Sequence, residues 1–506
     1  MQKRLILAMA LSMLVLLVWS ALFPKPQILG NKEVMVTKLS SQIESARTAP
    51  MLNVQDNALP VRTVKIERKN WDLIFDESRA SVLGAQFKNF QLYQFNLKYA
   101  LLLQNMGSAF QRSAAGSGDE VSFISKYRDL QVIKRFNVSN SKYTIELDIE
   151  TSNLSNASVV LDYPLILGVL NFAASKSQMN LQNISVATQE KIEHLNGRKD
   201  LIVQNIKTLG LRERYFCAII QPESGSYSAF IRKINPQETE VGLIAQNLQL
   251  APGQSLTQKF FIYIGPQDLK LINAANPAWV KLINFGAFDF ISRIVLNILE
   301  FLYGLVHNWG LAIIGLSILV YIVLYPLSVK QMRSMKEMQA LQPRIEELRG
   351  IYKDNPQKLN KEIMLLYREH KVNPLGGCLP LVLQIPIFFA LYQALIRFVA
   401  LKGATFLWIK DLSEPDRLFL LPVSLPFLGN EVNMLPILMA IGMFIQQKIS
   451  LKSASGSSAE QQKMMMIIMP IMFCFIFYHM SSGFVLYWLV NSALMLIFQL
   501  RMNRAK

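Results

Sequence analysis

Asn308-Trp-Gly-Leu-Ala-Ile-Ile-Gly-Leu-Ser-Ile-Leu-Val-Tyr-Ile-Val-Leu-Tyr-Pro-Leu-Ser-Val329 is an uncharged run that stops at Lys330, and the reading of this stretch decides the fold. A helix needs roughly 20 apolar residues to cross a hydrocarbon core of about 30 Å, so the run predicts a membrane span. The segment that follows, Lys330 to Lys371, is dense in basic residues: Arg333, Lys336, Arg344, Arg349, Lys353, Lys358, Lys361 and Arg368. Lys and Arg collect on the cytoplasmic side of a membrane, so the span runs inward. The apolar residues of the basic segment keep helical spacing, and Asp354-Asn355-Pro356 breaks it, which predicts a cytoplasmic helical hairpin over residues 330–373.

Working toward the C-terminus, uncharged regions recur at Pro374 to Ile396, Val432 to Gln447 and Met464 to Leu500. The last is too long for one crossing, and Ser481-Ser482-Gly483 divides it into two antiparallel spans. Lys448, Lys452 and Lys463 then fall on an inside loop and Arg501, Arg504 and Lys506 on an inside tail. The loop left outside mixes Lys402, Lys410 and Arg417 with Asp411, Glu414, Asp416 and Glu431, as the charge rule requires. Ser453 to Ser458 reads as a flexible connector in an inside loop.

Working toward the N-terminus, Trp279, Ile283, Phe285, Phe288, Ile291, Ile294, Ile298 and Phe301 recur near helical spacing and are interrupted by charges. This predicts an amphipathic helix over 279–304 lying in the interface, with the second span over 305–329. Residues 25–278 have a different texture, short alternating runs such as Trp71-Asp-Leu-Ile-Phe, Tyr143-Thr-Ile-Glu-Leu-Asp-Ile and Phe260-Phe-Ile-Tyr-Ile between turn residues. Alternation of this kind predicts antiparallel strands, and several in series predict a β sandwich large enough to bury its own core. Leu5 to Phe23, preceded by Lys3 and Arg4 and lacking a small-x-small cleavage site, predicts a retained signal anchor over 1–24 with its N-terminus inside. The sum is a polytopic α-helical membrane protein with six transmembrane helices, 374–506 holding the third to sixth and a basic tail, both termini cytoplasmic, and a large outer β domain.

The composition agrees: of 506 residues, 51% are hydrophobic and 17% charged, which excludes an ordinary soluble enzyme. Most of the net charge of +17 falls on the predicted inside segments and so reads as membrane topology and not as nucleic-acid binding. No phosphate-binding Gly-x-x-x-x-Gly-Lys-Ser/Thr loop, His-Glu-x-x-His helix or nucleophile elbow occurs, so no enzyme activity, cofactor or metal is expected. Cys217, Cys378 and Cys474 have no metal or redox spacing, and the four histidines are scattered.

Polar residues inside spans cost free energy unless they face protein or water. Ser317, Tyr321 and Tyr325 recur every four residues and share one face of the second span. Gln384 and Gln393 lie in the third, Gln446 and Gln447 end the fourth, and Tyr487, Asn491 and Ser492 lie in the sixth. Convergence would make a wet groove open to the inner side; the alternative is simple interhelical hydrogen bonding, about 0.6 kcal/mol per contact. On the hairpin, Met332, Met335 and Met338 make a flexible apolar stripe suited either to varied clients or to packing on the partner helix.

Asn373-Pro-Leu-Gly-Gly-Cys-Leu-Pro380, Gln384-Ile-Pro-Ile-Phe388, Tyr325-Pro-Leu327, Leu341-Gln-Pro343-Arg344, Leu407-Trp-Ile-Lys-Asp-Leu412 and Ser482-Gly-Phe-Val-Leu-Tyr-Trp488 resemble, in order and spacing, the YidC family of insertases. The resemblance runs from Trp279 to the C-terminus and extends more weakly to Tyr215-Phe-Cys-Ala218 and Gly265-Pro266. It implies a YidC-like five-helix insertase core behind the N-terminal anchor, a periplasmic β-super-sandwich domain of the Gram-negative type, and a place in the cell inner membrane. It implies further a client-binding groove of Ser317, Tyr321, Tyr325, Gln384, Tyr487, Trp488 and Asn491, a working hairpin including Met332, Met335, Met338 and Pro343, and nascent membrane proteins as clients. The Sec translocon, the ribosome and the signal recognition particle pathway are the implied partners beside the phospholipid bilayer.

Aligned on Tyr325-Pro326-Leu327, the family's groove arginine falls at position 321, which here is Tyr321, so the groove lacks its usual cation. Arg397 is expected to snorkel to the outer interface. Two other classes remain beside the insertase: a small-molecule or lipid transporter, disfavoured by the scarcity of ionisable residues within spans, and a divergent insertase paralogue with narrowed clients.

Overall fold

The computed structural model describes residues 61–504 apart from 91–92, 105–108, 114–119, 162, 173–180, 247, 354, 371, 373–378, 426–428 and 452–457. The anchor expected over 1–24, the Asn373 to Cys378 part of the family motif and most of the Ser453 to Ser458 connector lie outside the described residues.

Alternation of apolar and polar residues produces strands wherever one face can be buried, and Thr144–Asn153 shows the pattern along its whole length. It lies inside a nine-stranded antiparallel sheet, between Leu130–Val138 and Ser255–Pro266. A meander of four strands from Thr63–Glu67 to Tyr93–Ala100 and a second four-stranded sheet centred on Glu238–Ala245 and Tyr227–Asn235 cover that large sheet. Leu101 and Ile166 join the two smaller sheets by backbone hydrogen bonds. Aromatic rings fill the space between layers: Phe87 stacks on Phe216 at 4.3 Å, Phe75 meets Phe136 at 5.1 Å and Tyr227 meets Phe260 at 5.6 Å. Burial of this kind contributes on the order of 2–3 kcal/mol per large apolar side chain.

Lys134 is a fully buried cation among these rings. Its ammonium donates to the carbonyls of Ala80 and Leu101 and lies over the rings of Phe110 and Phe136. Ala80 and Leu101 both have left-handed backbone, so the lysine satisfies carbonyls at two tight turns that no ladder can reach.

The β domain ends in a short helix, α1 (Leu269–Ala275), capped by Asp268, and a 3-10 segment Pro277–Leu282 capped by Asn276. Trp279 belongs to the β domain: it is buried, its indole N–H donates to Gln221 Oε1 at 2.7 Å, and its ring meets Tyr263. Helix α2 therefore runs over Asp289–Val306 and starts later than the periodicity from Trp279 predicts. Gly286, at φ +100°, turns the chain, and Asp289 accepts from the Phe285 N–H.

Helix α3 (Trp309–Ala340) runs from the uncharged stretch straight into the basic segment. Helix α4 (Gln342–Ile351) begins after a break at Leu341, and α5 (Pro356–Glu369) returns, with Asn355 capping the Lys358 N–H and Pro356 in the first turn. The bundle is completed by α6 (Leu379–Arg397), α7 (Met434–Leu451), α8 (Ser458–Phe477) and α9 (Ser482–Arg504). Among the described residues, Trp309–Met338 and Ser482–Arg501 are long and apolar enough to cross a membrane, whereas Met434–Ile449 and Met466–Phe477 are apolar but shorter. Helix α2 packs on α3 and α6, α9 packs on α3 and α7, and α8 lies against α7.

Burial lowers the Lys134 ammonium from 10.5 to about 7. An unfolded chain then binds one more proton than the folded one between those values, so the lysine makes stability rise with pH across that window. Lys134→Met lacks this increment and leaves two carbonyls unpaired. The gap in thermal unfolding temperature between the parent and Lys134→Met is therefore expected to widen between pH 7 and pH 9; a constant gap would mean that Lys134 does not titrate there.

Candidate functional site

Three helices supply the site. On α3, Ser317 is fully buried, and its hydroxyl donates back to the Ile313 carbonyl at 2.8 Å and approaches the Tyr487 carbonyl of α9 at 3.5 Å. A serine is small enough to let the two helices close at that level, and its hydroxyl is satisfied within its own helix. On α9, Tyr487 is fully buried, with its hydroxyl beside Gln384 of α6. The geometry leaves both the Tyr487 hydroxyl oxygen and Gln384 Nε2 buried without a hydrogen-bond partner. Each such group costs about 1–3 kcal/mol, so the pair is a standing expense in an otherwise apolar wall.

Ser317 thus meets the backbone of Tyr487, and the Tyr487 side chain reaches Gln384. Tyr321 and Tyr325 continue the α3 face toward the hairpin: Tyr321 is half-buried, Tyr325 is exposed, their rings lie 6.3 Å apart, and Tyr325 meets Phe498 of α9 at 5.3 Å. Asn491 is half-buried one turn beyond Tyr487 on α9. Trp488 is separate, because the adjacent position turns it about 100° around the helix. It joins an aromatic cluster with Phe388, Phe473 and Phe477, at 5.3, 6.2 and 5.5 Å. Gln393 and Gln447 do not reach the site: Gln393 accepts from Arg397, and Gln447 Nε2 contacts the Met469 sulfur.

Arg397 departs from expectation. It does not snorkel to the outer interface but is buried at 6% exposure, bonded to Gln393 within its own helix. The β domain covers it: Arg214 donates to the adjacent Ile396 carbonyl at 3.0 Å, and Arg212 is near enough to repel it. Burial and that repulsion push Arg212 down to about 9, while its guanidinium is held by Gln267 and by the carbonyl of Asn284. Sequence reasoning placed Arg397 by its distance from the bilayer and had no signal for the domain packed above it.

On the hairpin, Met338 packs with Leu341, Ile345 and Leu366 between α4 and α5, Met332 is half-buried and Pro343 is exposed at the start of α4. The side chain of Met335 lies outside the described residues. Arg344 and His370 tie the two arms at 3.1 Å. Among the described residues of the hairpin, Ile351, Met364 and Leu365 are large apolar side chains left exposed.

The end of the bundle that meets the β domain is closed by the segment after α6. Ser482 donates from its N–H and its hydroxyl to the Glu414 carbonyl, and Gly483 donates to the Leu412 carbonyl at 2.8 Å. A side chain at Gly310 would collide with Phe406, which is how the segment packs onto the start of α3. Asp416 Oδ2 accepts from the N–H groups of Met434 and Leu435 at 2.8 and 3.1 Å, capping α7, and from the Trp408 indole. Arg214 of the β domain bonds Glu414 and the Ser413 carbonyl. Arg214 and Asp416 gave no local signal in the sequence, since their partners lie far along the chain.

Residues 301–506 match the family model described as 60Kd inner membrane protein, and residues 103–298 match the model described as YidC periplasmic domain. The membrane protein insertase YidC of Geobacter metallireducens is 31% identical over 100% of this chain and 99% of its own length. That of Pelobacter propionicus is 34% identical over 74% of this chain and 69% of its own. A crystal structure of an active YidC insertase, with its first transmembrane domain resolved, is similar at a TM-score of 0.40 and 20% identity, covering 87% of this chain and 94% of that one.

Because Asp416 satisfies two helix-terminal N–H groups and an indole at once, Asp416→Ala is expected to destabilise the protein by roughly 1–2 kcal/mol. Asp416→Asn, which keeps an acceptor, is expected to lose less. Thermal unfolding in detergent reads the order, and equal losses would rule out the cap as the cause.

Proposed function

The chain belongs to the YidC family of membrane protein insertases, and from that premise we propose that it receives the polar part of a client along the helix faces that carry Ser317, Gln384 and Tyr487. It is a protein of the bacterial inner membrane with a periplasmic β domain, it acts on nascent membrane proteins, and it is not an enzyme.

The unpaired Tyr487 hydroxyl and Gln384 amide carry the proposal. A client segment crossing the membrane brings backbone N–H and C=O groups that have no water to bond in hydrocarbon. Here it meets a tyrosine hydroxyl and a glutamine amide set side by side in an apolar wall, so bonds to them replace those that hydrocarbon cannot supply. The closed outer cap of Leu412, Glu414 and Ser482 supports a groove that opens only toward the hairpin side. The apolar helix of the client slides into lipid along the exposed surfaces of the bundle, and its transfer out of water supplies the driving force. No nucleotide is needed.

The topology that fits this reading has six spans: the anchor 1–24, α3 and α6 to α9, with both termini cytoplasmic. Helix α2 lies along the outer interface with Phe290, Phe301 and Leu305 toward lipid. The hairpin of α4 and α5 faces the cytoplasm and presents Ile351, Met364 and Leu365 to incoming chains. The Sec translocon, the ribosome and the signal recognition particle pathway are the partners this arrangement suits.

Tyr321 sets the client range. Without a fixed cation the groove offers hydrogen bonds and aromatic faces but no charge to attract an acidic segment. Tyr321→Arg is expected to raise insertion of clients with acidic translocated segments severalfold and leave neutral clients unchanged, as measured by protease protection in proteoliposomes. A photocrosslinker at Tyr321 or Tyr487 should trap a stalled nascent membrane protein, and one at Leu407, on the outer cap, should not. Adducts at Leu407 alone would refute the groove.

A further inference from the structure

Between α6 and α7 the chain forms a two-stranded antiparallel hairpin, Phe419–Leu425 with Gly429–Val432, that no span pattern predicts. Its base and its strand differ in kind. At the base, Arg417 pairs with Glu431 at 2.8 Å, Asn433 accepts from the Arg417 N–H and donates to the Tyr478 carbonyl, and the Tyr478 hydroxyl donates to the Glu431 carbonyl. Between Arg417 and Glu431 the sequence has no charge. Phe419, Leu420 and Val423 are 50%, 65% and 66% exposed.

Phe419 and Leu420 are neighbours in a strand and so face opposite sides of the ribbon. A ribbon that docks on a protein is apolar on one face and polar on the other. In this one the first strand, from Phe419 to Val423, is apolar and uncovered on both sides, while Glu431, opposite Leu420 on the second strand, is held by Arg417 at the base, which fits immersion of the first strand in lipid. The depth is bounded by the backbone: a two-stranded ribbon has open edges, and unpaired N–H and C=O groups are not tolerated in the hydrocarbon region. Pro422 removes one edge donor but not the rest. The edges therefore stay among headgroups while the side chains reach the acyl boundary. The exposed apolar face of α7, with Leu438 and Ile441, begins directly after the hairpin and continues the same lipid-facing surface.

We propose that the 419–432 hairpin is an outer-leaflet anchor, its apolar strand seated at the boundary of headgroups and acyl chains and its base locked to α7 and the end of α8. The inference rests on the topology proposed above, in which the N-terminal end of α7 is outside. The partner is the lipid surface itself, and a protein seated on the hairpin is the competing outcome.

The test places an environment-sensitive fluorophore at Val423→Cys in a full-length variant whose three cysteines are replaced by alanine and which still inserts client. The protein is reconstituted in phosphatidylethanolamine and phosphatidylglycerol vesicles containing lipids brominated either near the headgroup or near the chain end. Blue-shifted emission, quenched at least about twofold more by the shallow bromines than by the deep ones, is expected for an interfacial seat. A label at Lys410→Cys, on the exposed outer loop, should stay unquenched, and one at Ile441→Cys should be quenched by the deep bromines. Emission at Val423 like that at Lys410 overturns the anchor, as does blue-shifted emission that neither lipid quenches, which would mean protein cover. Failure at Ile441 would instead remove the topology on which the anchor rests.

Discussion

The acidic loop between α6 and α7 is the constraint on which the rest of the bundle depends. Glu414 offers its carbonyl to Ser482 at the turn into α9 and its carboxylate to Arg214 of the β domain and Lys402. Asp416, two residues later, caps α7 and holds the Trp408 indole. One short segment thereby fixes the outer ends of α7 and α9 and the position of the β domain above α6. These are charge-assisted bonds at the edge of a low-dielectric bundle, where they are stronger than the same bonds in water. Once these ends are fixed, helices that diverge can separate only toward the opposite end of the bundle.

That asymmetry explains why the polar pair of Tyr487 and Gln384 can persist. In a bundle free to repack, a buried hydroxyl and amide would be replaced by apolar side chains, with a gain in stability. Here α6 is held at its outer end by Arg214, α9 by Glu414, and the closure of α3 on α9 at Ser317 sets the distance between them. The pair is frustrated by its scaffold.

The β domain contributes more than a weight outside the membrane. Arg212 holds the linker carbonyl of Asn284, Ser185 holds that of Leu282, and Arg293 of α2 reaches back to Ile283. Three consecutive carbonyls of the connection are thus bonded to side chains, and the domain cannot swing as a body on a loose tether. Arg397 lies under this junction and is buried for that reason.

The residues along the chain determined which elements exist. Uncharged runs and basic clusters marked the second span and the hairpin, alternation marked strands such as Thr144–Asn153 and Ser255–Pro266, and spaced motifs marked the family, because each of these signals is local in the chain. The convergence of Ser317, Gln384 and Tyr487 was legible as separate helix faces, but not the exclusion of Trp488, which follows from one step of helix rotation. Arg397, the start of α2 at Asp289, the lock around Asp416 and the 419–432 hairpin were decided only in three dimensions. Their environments are made by segments tens to hundreds of residues away, and burial, unlike periodicity, is a property that no stretch of sequence carries by itself.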